Sequence, residues 1–497
     1  MEHRAEEKHL VLKCADTFFN RLNDDGIRYG VFKSSCNIAV ALAGDQDLDI
    51  LVAREDYHLF CTIATECAGV RSANHPSLKS PGREDWFIPD FDRAKYLHLD
   101  VHINIRLGGK FNKRYPVYSY DDIGRWNMIT FGTLRLCVAS ADDEARVTLS
   151  RVAFRANAIS PRSWQQLKGD WAKELKDLLF PAVERGEAIV TFPTKPILQC
   201  RVQRNGPEIS VTRRDLACIR RAVRTHCAVS WRSSLRDPIL NVLRASHYIV
   251  SRLANRISPG IIVDRRSPIS GGLIVAVVAP DGMGKTTQVR RMSIIFGWKF
   301  SSATFYLGSG DGKGWWIRRM IRSRYIRHRS IKEGILSAAS EATKRPKLKT
   351  YLGICFLELW GVLIALERYA SVVKARRVAD RGFIVFCDRW PQAIEHGFLD
   401  GPTQHPRIGT QGLLRKWELR LYDRMAAFQP EIPIQLVGDH SLSDARKPGE
   451  LKREDFDRRI ALMRKIRELE PKTHVIDAGG NLDDVSRSLF KLIWSEL

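Results

Sequence analysis

The chain is short of paired cysteines. Ten are present, at 14, 36, 61, 67, 137, 200, 218, 227, 355 and 387, and no two form a CxxC pair. That scatter excludes a zinc-ribbon ligand set and a disulfide framework, and it suits a reducing compartment. The first ten residues, MEHRAEEKHL, hold five charged side chains and no apolar run, which predicts no signal-peptide core there. The most apolar helical run, LGICFLELWGVLIAL at 352–366, contains a glutamate and is too short to cross a bilayer. It predicts a buried helix and no membrane span, in a cytoplasmic protein. Internal repeats and low-complexity tracts are absent. Acidic residues are also scarce, 56 Asp+Glu against 80 Lys+Arg, a formal net charge of +24. This excess suits polyanionic partners such as nucleotides, nucleic acid or an anionic membrane face, and equally a merely basic surface.

What is present is enough for more than one core. At 497 residues, with 44% hydrophobic and 27% charged residues, the composition is that of a globular protein of two or three domains. Residues 1–138 mix strand-like alternation with helices. Residues 139–265 read as a helical region, as in DWAKELKDLLFPAVERG and RRDLACIRRAVRTHC, closing on the basic linker RISPGIIVDRRSPISGG. From 266 to 497, apolar runs (LIVAVVA, ATFYLG, FIVFCD, IPIQLV, HVIDA) alternate with helical text, which predicts an α/β domain with a parallel sheet flanked by helices.

The stretch LIVAVVAPDGMGKTT is an apolar strand, a glycine-containing loop and then the start of a helix. Successive backbone N–H groups of Gly282, Met283, Gly284, Lys285, Thr286 and Thr287 would cradle phosphate at the helix N-terminus. Lys285 would reach the β- and γ-phosphates of ATP, and the Thr286 hydroxyl would ligate Mg²⁺. Gly282 and Gly284 permit the tight curl, and Ala279, where a first glycine is usual, needs only a negative φ.

Within P-loop proteins this stretch resembles the thymidylate kinase family, through Ala279-Pro280-Asp281-Gly282-Met283-Gly284-Lys285-Thr286-Thr287 and, about a hundred residues on, Asp388-Arg389 behind the strand-like GFIVFC. The likeness covers about residues 272–497. It implies that Asp281 faces the acceptor nucleotide, that Arg389 holds the acceptor phosphate and that Asp388 organises Mg²⁺. Arg368, upstream of this strand, sits near the place of an acceptor-contacting arginine and equally suits a solvated helix. The basic text ARKPGELKREDFDRRIALMRKI is similar to the family's lid, where Arg446, Lys447, Lys452, Arg453 and Arg458 are candidates to stabilise the migrating phosphoryl group, Arg446 first and Arg453 second. The resemblance also implies a final strand and helix that help hold adenine, and the homodimeric state common in the family. Two features depart from it. Residues 312–349 carry twelve Lys/Arg against two Glu, and FLDGP follows the Asp-Arg pair. Both weaken the case for dTMP as acceptor.

In GDQDLDILV, Asp47 and Asp49 are two apart in a strand and so share a face; LHLDVHINI then alternates Leu97, Leu99, Val101, Ile103 and Ile105 with His98, Asp100, His102 and Asn104. Three carboxylates (Asp47, Asp49, Asp100) converging from two strands suit two-metal nucleotidyl transfer, while plain strand amphipathicity explains the alternation equally well. Residues 9 to about 130 resemble the polymerase-β-type nucleotidyltransferase superfamily, which implies an α+β domain with those acids as metal ligands. Its glycine-bearing loop is replaced here by Lys33-Ser34-Ser35.

Three functions follow as expectations. One is ATP-dependent phosphoryl transfer to a nucleoside monophosphate, dTMP-like, beside a nucleotidyltransferase-like domain. Another is a P-loop kinase for a sugar or lipid phosphate in polysaccharide metabolism. The third is a nucleotide-gated nucleic-acid-binding protein.

Overall fold

The computed structural model describes residues 11–75, 77, 80–109, 111–155, 175–179, 188–192, 198–205, 208–227, 231–257, 266–308, 348–403 and 412–497. The chain forms two compact units, Met1–Ser258 with Asp264–Ile269, and Pro259–Val263 with Ser270–Leu497.

The first unit opens with helix α1 (Lys13–Asp24), followed by β1 (Tyr29–Val31), α2 (Ile38–Leu42), β2 (Asp47–Val52), α3 (Tyr57–Glu66), β3 (Val70–Ala73), β4 (Arg83–Asp90) and β5 (Lys95–His102). A hairpin of β6 (Ile105–Gly109) and β7 (Asn112–Tyr118) leads to β8 (Trp126–Phe131), β9 (Leu134–Ala139) and α4 (Ala141–Arg155). The main sheet is mixed, in the order β13-β3-β4-β5-β2-β1-β9-β8, where β13 is Ser267–Pro268 returning from the linker. Register sets the polar row: Asp49 lies opposite Asp100 on the parallel pair β2–β5, and Asp85 opposite Asp100 on the antiparallel pair β4–β5. Strand β5 is buried on both faces and ends at His102, so the expected alternation through Ile105 breaks at Ile103-Asn104.

The stretch read as a helical region is not wholly helical. It holds the antiparallel strands β10 (Ala188–Phe192), β11 (Leu198–Asn205) and β12 (Glu208–Ser210), then α5 (Arg213–His226) and α6 (Trp231–Ile257). Val190, Phe192, Val202, Leu216 and Ile219 share one core with Phe32, Leu51, Ile105 and Leu149. The helical text thus completes the first unit, because the second face of its sheet needs a cover. Most of DWAKELKDLLFPAVERG lies outside the described residues.

In the second unit, β14 (Leu273–Val278) is followed by α7 (Lys285–Gly297), β15 (Ser302–Tyr306), α8 (Leu348–Ala379), β16 (Ile384–Asp388), α9 (Leu413–Ala426), β17 (Ile432–Val437), α10 (His440–Arg446), α11 (Arg453–Leu469), β18 (His474–Asp477) and α12 (Leu482–Trp494). All five strands are parallel, in the order β15-β16-β14-β17-β18. Strands β14 and β16 are buried along almost their whole length, which is why they read as unbroken apolar runs. One face packs Phe296, Phe490 and Trp494 beside Phe386; the other packs Val372, Ala375, Val378, Tyr422 and Met425. The expected buried helix at 352–366 falls within α8, where Val362, Ile364 and Ala365 are buried. Among the described residues no helix is long and apolar enough to cross a membrane. The basic stretch 312–349 lies almost entirely outside them.

Candidate functional site

Strands β14 and β16 end side by side at the centre of the second unit's sheet, where a crevice forms because chain connections leave in opposite directions. The first carries the loop 279–284 and the second ends in Asp388-Arg389. Gly282 (φ 83°) and Gly284 (φ 80°) both take the left-handed conformation that glycine supplies at no steric cost. At Gly282 there is a second reason: a Cβ would stand 2.8 Å from the Ser443 carbonyl oxygen. Ser443 also donates from Oγ to the Asp281 carbonyl oxygen at 2.7 Å, fastening the loop to α10.

The Thr286 hydroxyl donates to Asp388 Oδ2 at 2.6 Å. The other oxygen, Asp388 Oδ1, is buried and accepts no hydrogen bond from the described residues. A hydroxyl and a carboxylate with a free lone-pair edge are hard oxygen donors, so this pair fits Mg²⁺. Lys285, 6% exposed, donates from Nζ to the Pro280 carbonyl at 3.2 Å and to Asp281 Oδ1 at 2.8 Å. Burial, reinforced by the Arg389 guanidinium, pulls the Lys285 ammonium below its ordinary pKa, against the pull of Asp281.

Asp281 is the hub of the cations. Besides Lys285 it accepts from Arg389 Nη2 at 2.7 Å and from Arg459 Nη1 at 2.6 Å. Burial alone would raise its pKa, but Lys285 first, then Arg389 and Arg459, hold it well below the carboxylate range. Arg389 itself has φ 77°, an uncommon conformation for a long side chain. Its other amino group, Nη1, donates to Asp400 Oδ2 at 3.1 Å.

The lid candidates separate. Arg446 donates to the Ala478 carbonyl at 3.3 Å. It lines a cleft of about 220 Å³ with Met283, Gly284, Thr287, Gln288 and Leu482. Arg453 is four-fifths exposed and lies 3.9 Å from Asp457. Lys447 pairs with Glu450, and Arg458 with Glu395 while stacking over Phe398. The residue that sequence reasoning missed is Arg459. A signal existed: Arg459 is three residues after buried Phe456 and four before buried Met463, so it stands on the inward stripe of α11. Arg368 is buried and held by the 400–401 segment and Tyr422, which excludes the solvated-helix reading.

In the first unit, Asp49 and Asp100 meet as expected, but Asp47 is exposed at the start of β2. The cluster with metal-ligand spacing among the described residues is Asp49, Asp100 and His102. Two cations already sit on its acids. Lys33 Nζ donates to Asp49 Oδ2 at 2.6 Å, and Arg83 Nε donates to Asp100 Oδ1. Burial would raise Asp100's pKa, yet Arg83 and then His102 hold it well below the ordinary value. The three-carboxylate, two-Mg²⁺ arrangement does not fit these residues. Ser34 takes the left-handed conformation (φ 60°) that a glycine adopts without steric cost. Lys33, however, is engaged by Asp49.

A parallel sheet whose first strand runs through a phosphate loop into a helix, with an Asp-Arg pair on the neighbouring strand, defines a P-loop α/β domain. The chain is 30% identical over 191 residues (35% of this chain, 69% of the relative) to the uncharacterized ATP-binding protein YghR of Escherichia coli K12. It is 30% identical over 189 residues (35% and 73%) to the uncharacterized ATP-binding protein YghS of the same strain. The chain belongs to the family of these proteins. Among solved structures, a thymidylate kinase from Ehrlichia chaffeensis is 16% identical, covering 45% of this chain and 99% of that one with a TM-score of 0.26. A thymidylate kinase from Candida albicans is 14% identical, covering 45% and 92% with a TM-score of 0.27. No protein-family model matches the chain.

Proposed function

We propose that the second unit transfers the γ-phosphoryl group of ATP to an acceptor oxygen, a phosphate oxygen in a nucleoside monophosphate or a hydroxyl in an alcohol. The observation that carries this reading is the Thr286–Asp388 contact at 2.6 Å, with Lys285 buried beside it at the mouth of the loop. The ATP-binding names of the relatives support the nucleotide. Backbone N–H groups at the start of α7 and the Lys285 ammonium would hold the phosphates, and the cleft between Met283 and Leu482 would take the base. Mg²⁺, held by Thr286 and Asp388, would neutralise charge on the β- and γ-phosphates. The acceptor oxygen forms its bond to the γ-phosphorus as the bridging bond to the β-phosphate breaks, and the electron pair leaves with ADP; an attacking hydroxyl also gives up its proton to solvent, whereas an ionised phosphate oxygen has none to lose. Arg389, and Arg459 behind Asp281, bring positive charge to the acceptor side, while Arg446 borders the nucleotide side.

The acceptor implied by the thymidylate kinase resemblance is a nucleoside monophosphate with its phosphate on Arg389, and a sugar or lipid phosphate is the second reading. For the first unit, nucleotidyl transfer through Asp47, Asp49 and Asp100 is supported by the Asp49–Asp100 register alone and opposed by the cations on both acids. Homodimerisation and nucleic-acid binding rest on the resemblance and on net charge respectively; the latter requires affinity that falls steeply with salt.

The test is phosphoryl transfer from labelled ATP across a panel of nucleoside monophosphates, sugar and lipid phosphates and uncharged alcohols, with wild type beside Lys285→Ala and Arg389→Ala. Acceptor-dependent ADP that disappears in Lys285→Ala is the expected result. No acceptor-dependent ADP above the Lys285→Ala background would sink the proposal.

A further inference from the structure

The segment 392–402 after β16 is held in a conformation that places one carboxylate. The Gln392 side chain accepts from the backbone N–H groups of Ile394 and Glu395, at 2.6 and 2.8 Å. It donates to the carbonyls of Glu395 and Phe398, at 2.6 and 2.7 Å. Gly401 passes so close that a Cβ would stand 2.1 Å from Gln392 Nε2. Leu399 (φ 40°) and Asp400 (φ 61°) are consecutive left-handed residues, neither of them glycine. Leu399 is buried with Leu462 and Met463 of α11. Such strain persists only where the surroundings over-determine it, and it concentrates at functional sites.

What the strain delivers is the Asp400 carboxylate, its side chain 5% exposed, between two arginines. Oδ1 accepts from Arg368 Nη2 at 2.7 Å and Oδ2 from Arg389 Nη1 at 3.1 Å. Arg368, also buried, donates further to the Asp400 carbonyl at 2.8 Å and to the Tyr422 hydroxyl. Arg389's remaining amino group is on Asp281. A phosphate on these arginines would need the forked donors that Asp400 already takes, and it would bring two negative charges against a buried third.

We propose that Asp400 is a built-in counter-anion in the acceptor site and determines specificity there: the acceptor presents a hydroxyl and carries no phosphate on Arg368 and Arg389. Its class is an uncharged alcohol, of the sugar or nucleoside kind. This rests on the phosphoryl-transfer reading above and narrows it away from a nucleoside monophosphate bound through Arg389.

The test is calorimetric titration of the full chain with ADP·Mg²⁺ and, separately, with dTMP and glucose 6-phosphate as monophosphate probes. In wild type, dTMP and glucose 6-phosphate bind no more tightly than inorganic phosphate, and Arg389→Gln leaves those values unchanged. In Asp400→Asn, the affinity for at least one probe rises tenfold or more, while that for ADP·Mg²⁺ stays within twofold. Tight wild-type binding of either probe that Arg389→Gln weakens tenfold would overturn the proposal. So would an Asp400→Asn protein that keeps ADP·Mg²⁺ affinity but gains nothing. If Asp400→Asn fails to fold, the wild-type and Arg389→Gln comparison decides alone. Absence of ADP·Mg²⁺ binding in wild type strikes the phosphoryl-transfer reading, and is thereby told apart from failure of this one.

Discussion

Gly282 and Gly284 share a positive φ but not a neighbourhood. A Cβ on Gly284 would meet only the Arg446 guanidinium at 3.7 Å, whereas on Gly282 it would run into the Ser443 backbone. Both alanine substitutions carry the left-handed cost of about 1–2 kcal/mol. Gly282→Ala adds a clash that only a shift of α10 relieves, so thermal unfolding should show it as the more destabilised of the two. At the centre of the chemistry, Lys285→Ala is expected to lower acceptor-dependent ADP formation by about 10²–10³-fold, the usual loss on removing a preorganised charge partner. Circular dichroism should be unchanged. In the first unit, burial, with Arg83 behind it, pulls the Lys113 ammonium down to about 7. Below that pH folded and unfolded states are both protonated and the charge in the fold is a cost. Between about 7 and the ordinary lysine value near 10.5 the unfolded chain binds the extra proton, so stability rises with pH through that window. Lys113→Met should therefore raise the melting temperature most below pH 7 and progressively less above it.

Helix α7 begins in the phosphate loop and ends in an aromatic cluster, so its position couples core packing to the site. Phe296 is fully buried and stacks on Phe490 at 5.4 Å between ring centroids, with Trp494 at 6.1 Å and Phe386 at 6.0 Å. Gln288 extends the same join, donating to the Leu482 carbonyl at 3.1 Å and accepting from Ser486 Oγ at 2.8 Å. Truncating Phe296 to alanine should cost about 3–5 kcal/mol in denaturant unfolding. Conservative Phe296→Leu should cost less and preserve nucleotide affinity, since the loop's own fastenings to Ser443 and Asp388 are untouched. The cleft beside Arg446 lies between α7 and α12, so loosening this join is also the change at element scale that should weaken base binding.

Each unit owns its hydrophobic core, and ligand linkage can therefore be read unit by unit. ADP·Mg²⁺ at a hundredfold its Kd should add about 2.7 kcal/mol to the unfolding free energy of the unit that binds it. Scanning calorimetry of the full chain should show the transition of the second unit moving up with ligand in wild type and staying put in Lys285→Ala. Movement of the other transition instead would place the nucleotide on the first unit.

Much of the second unit was legible in the linear text, and for a local reason. Its central strands β14 and β16 are buried along almost their whole length and read as apolar runs, and the phosphate loop, glycines, Lys285 and Thr286 are contiguous, so chain geometry alone brings them together. The pairing of Thr286 with Asp388 across about a hundred residues could be anticipated because β14 and β16 are neighbours at the centre of the sheet. Where function depends on which distant side chains share charge, only the tertiary structure decided. Burial turned Asp400 from a loop residue into the partner of Arg368 and Arg389, and helical phase brought Arg459 rather than Arg453 to Asp281. Strand register set Asp49 against Asp100, while the ends of β1 and β4 laid Lys33 and Arg83 over them. A composition can announce an excess of positive charge. Which cation neutralises which acid is settled by distance in a low-dielectric interior, and that distance exists only once the chain has folded.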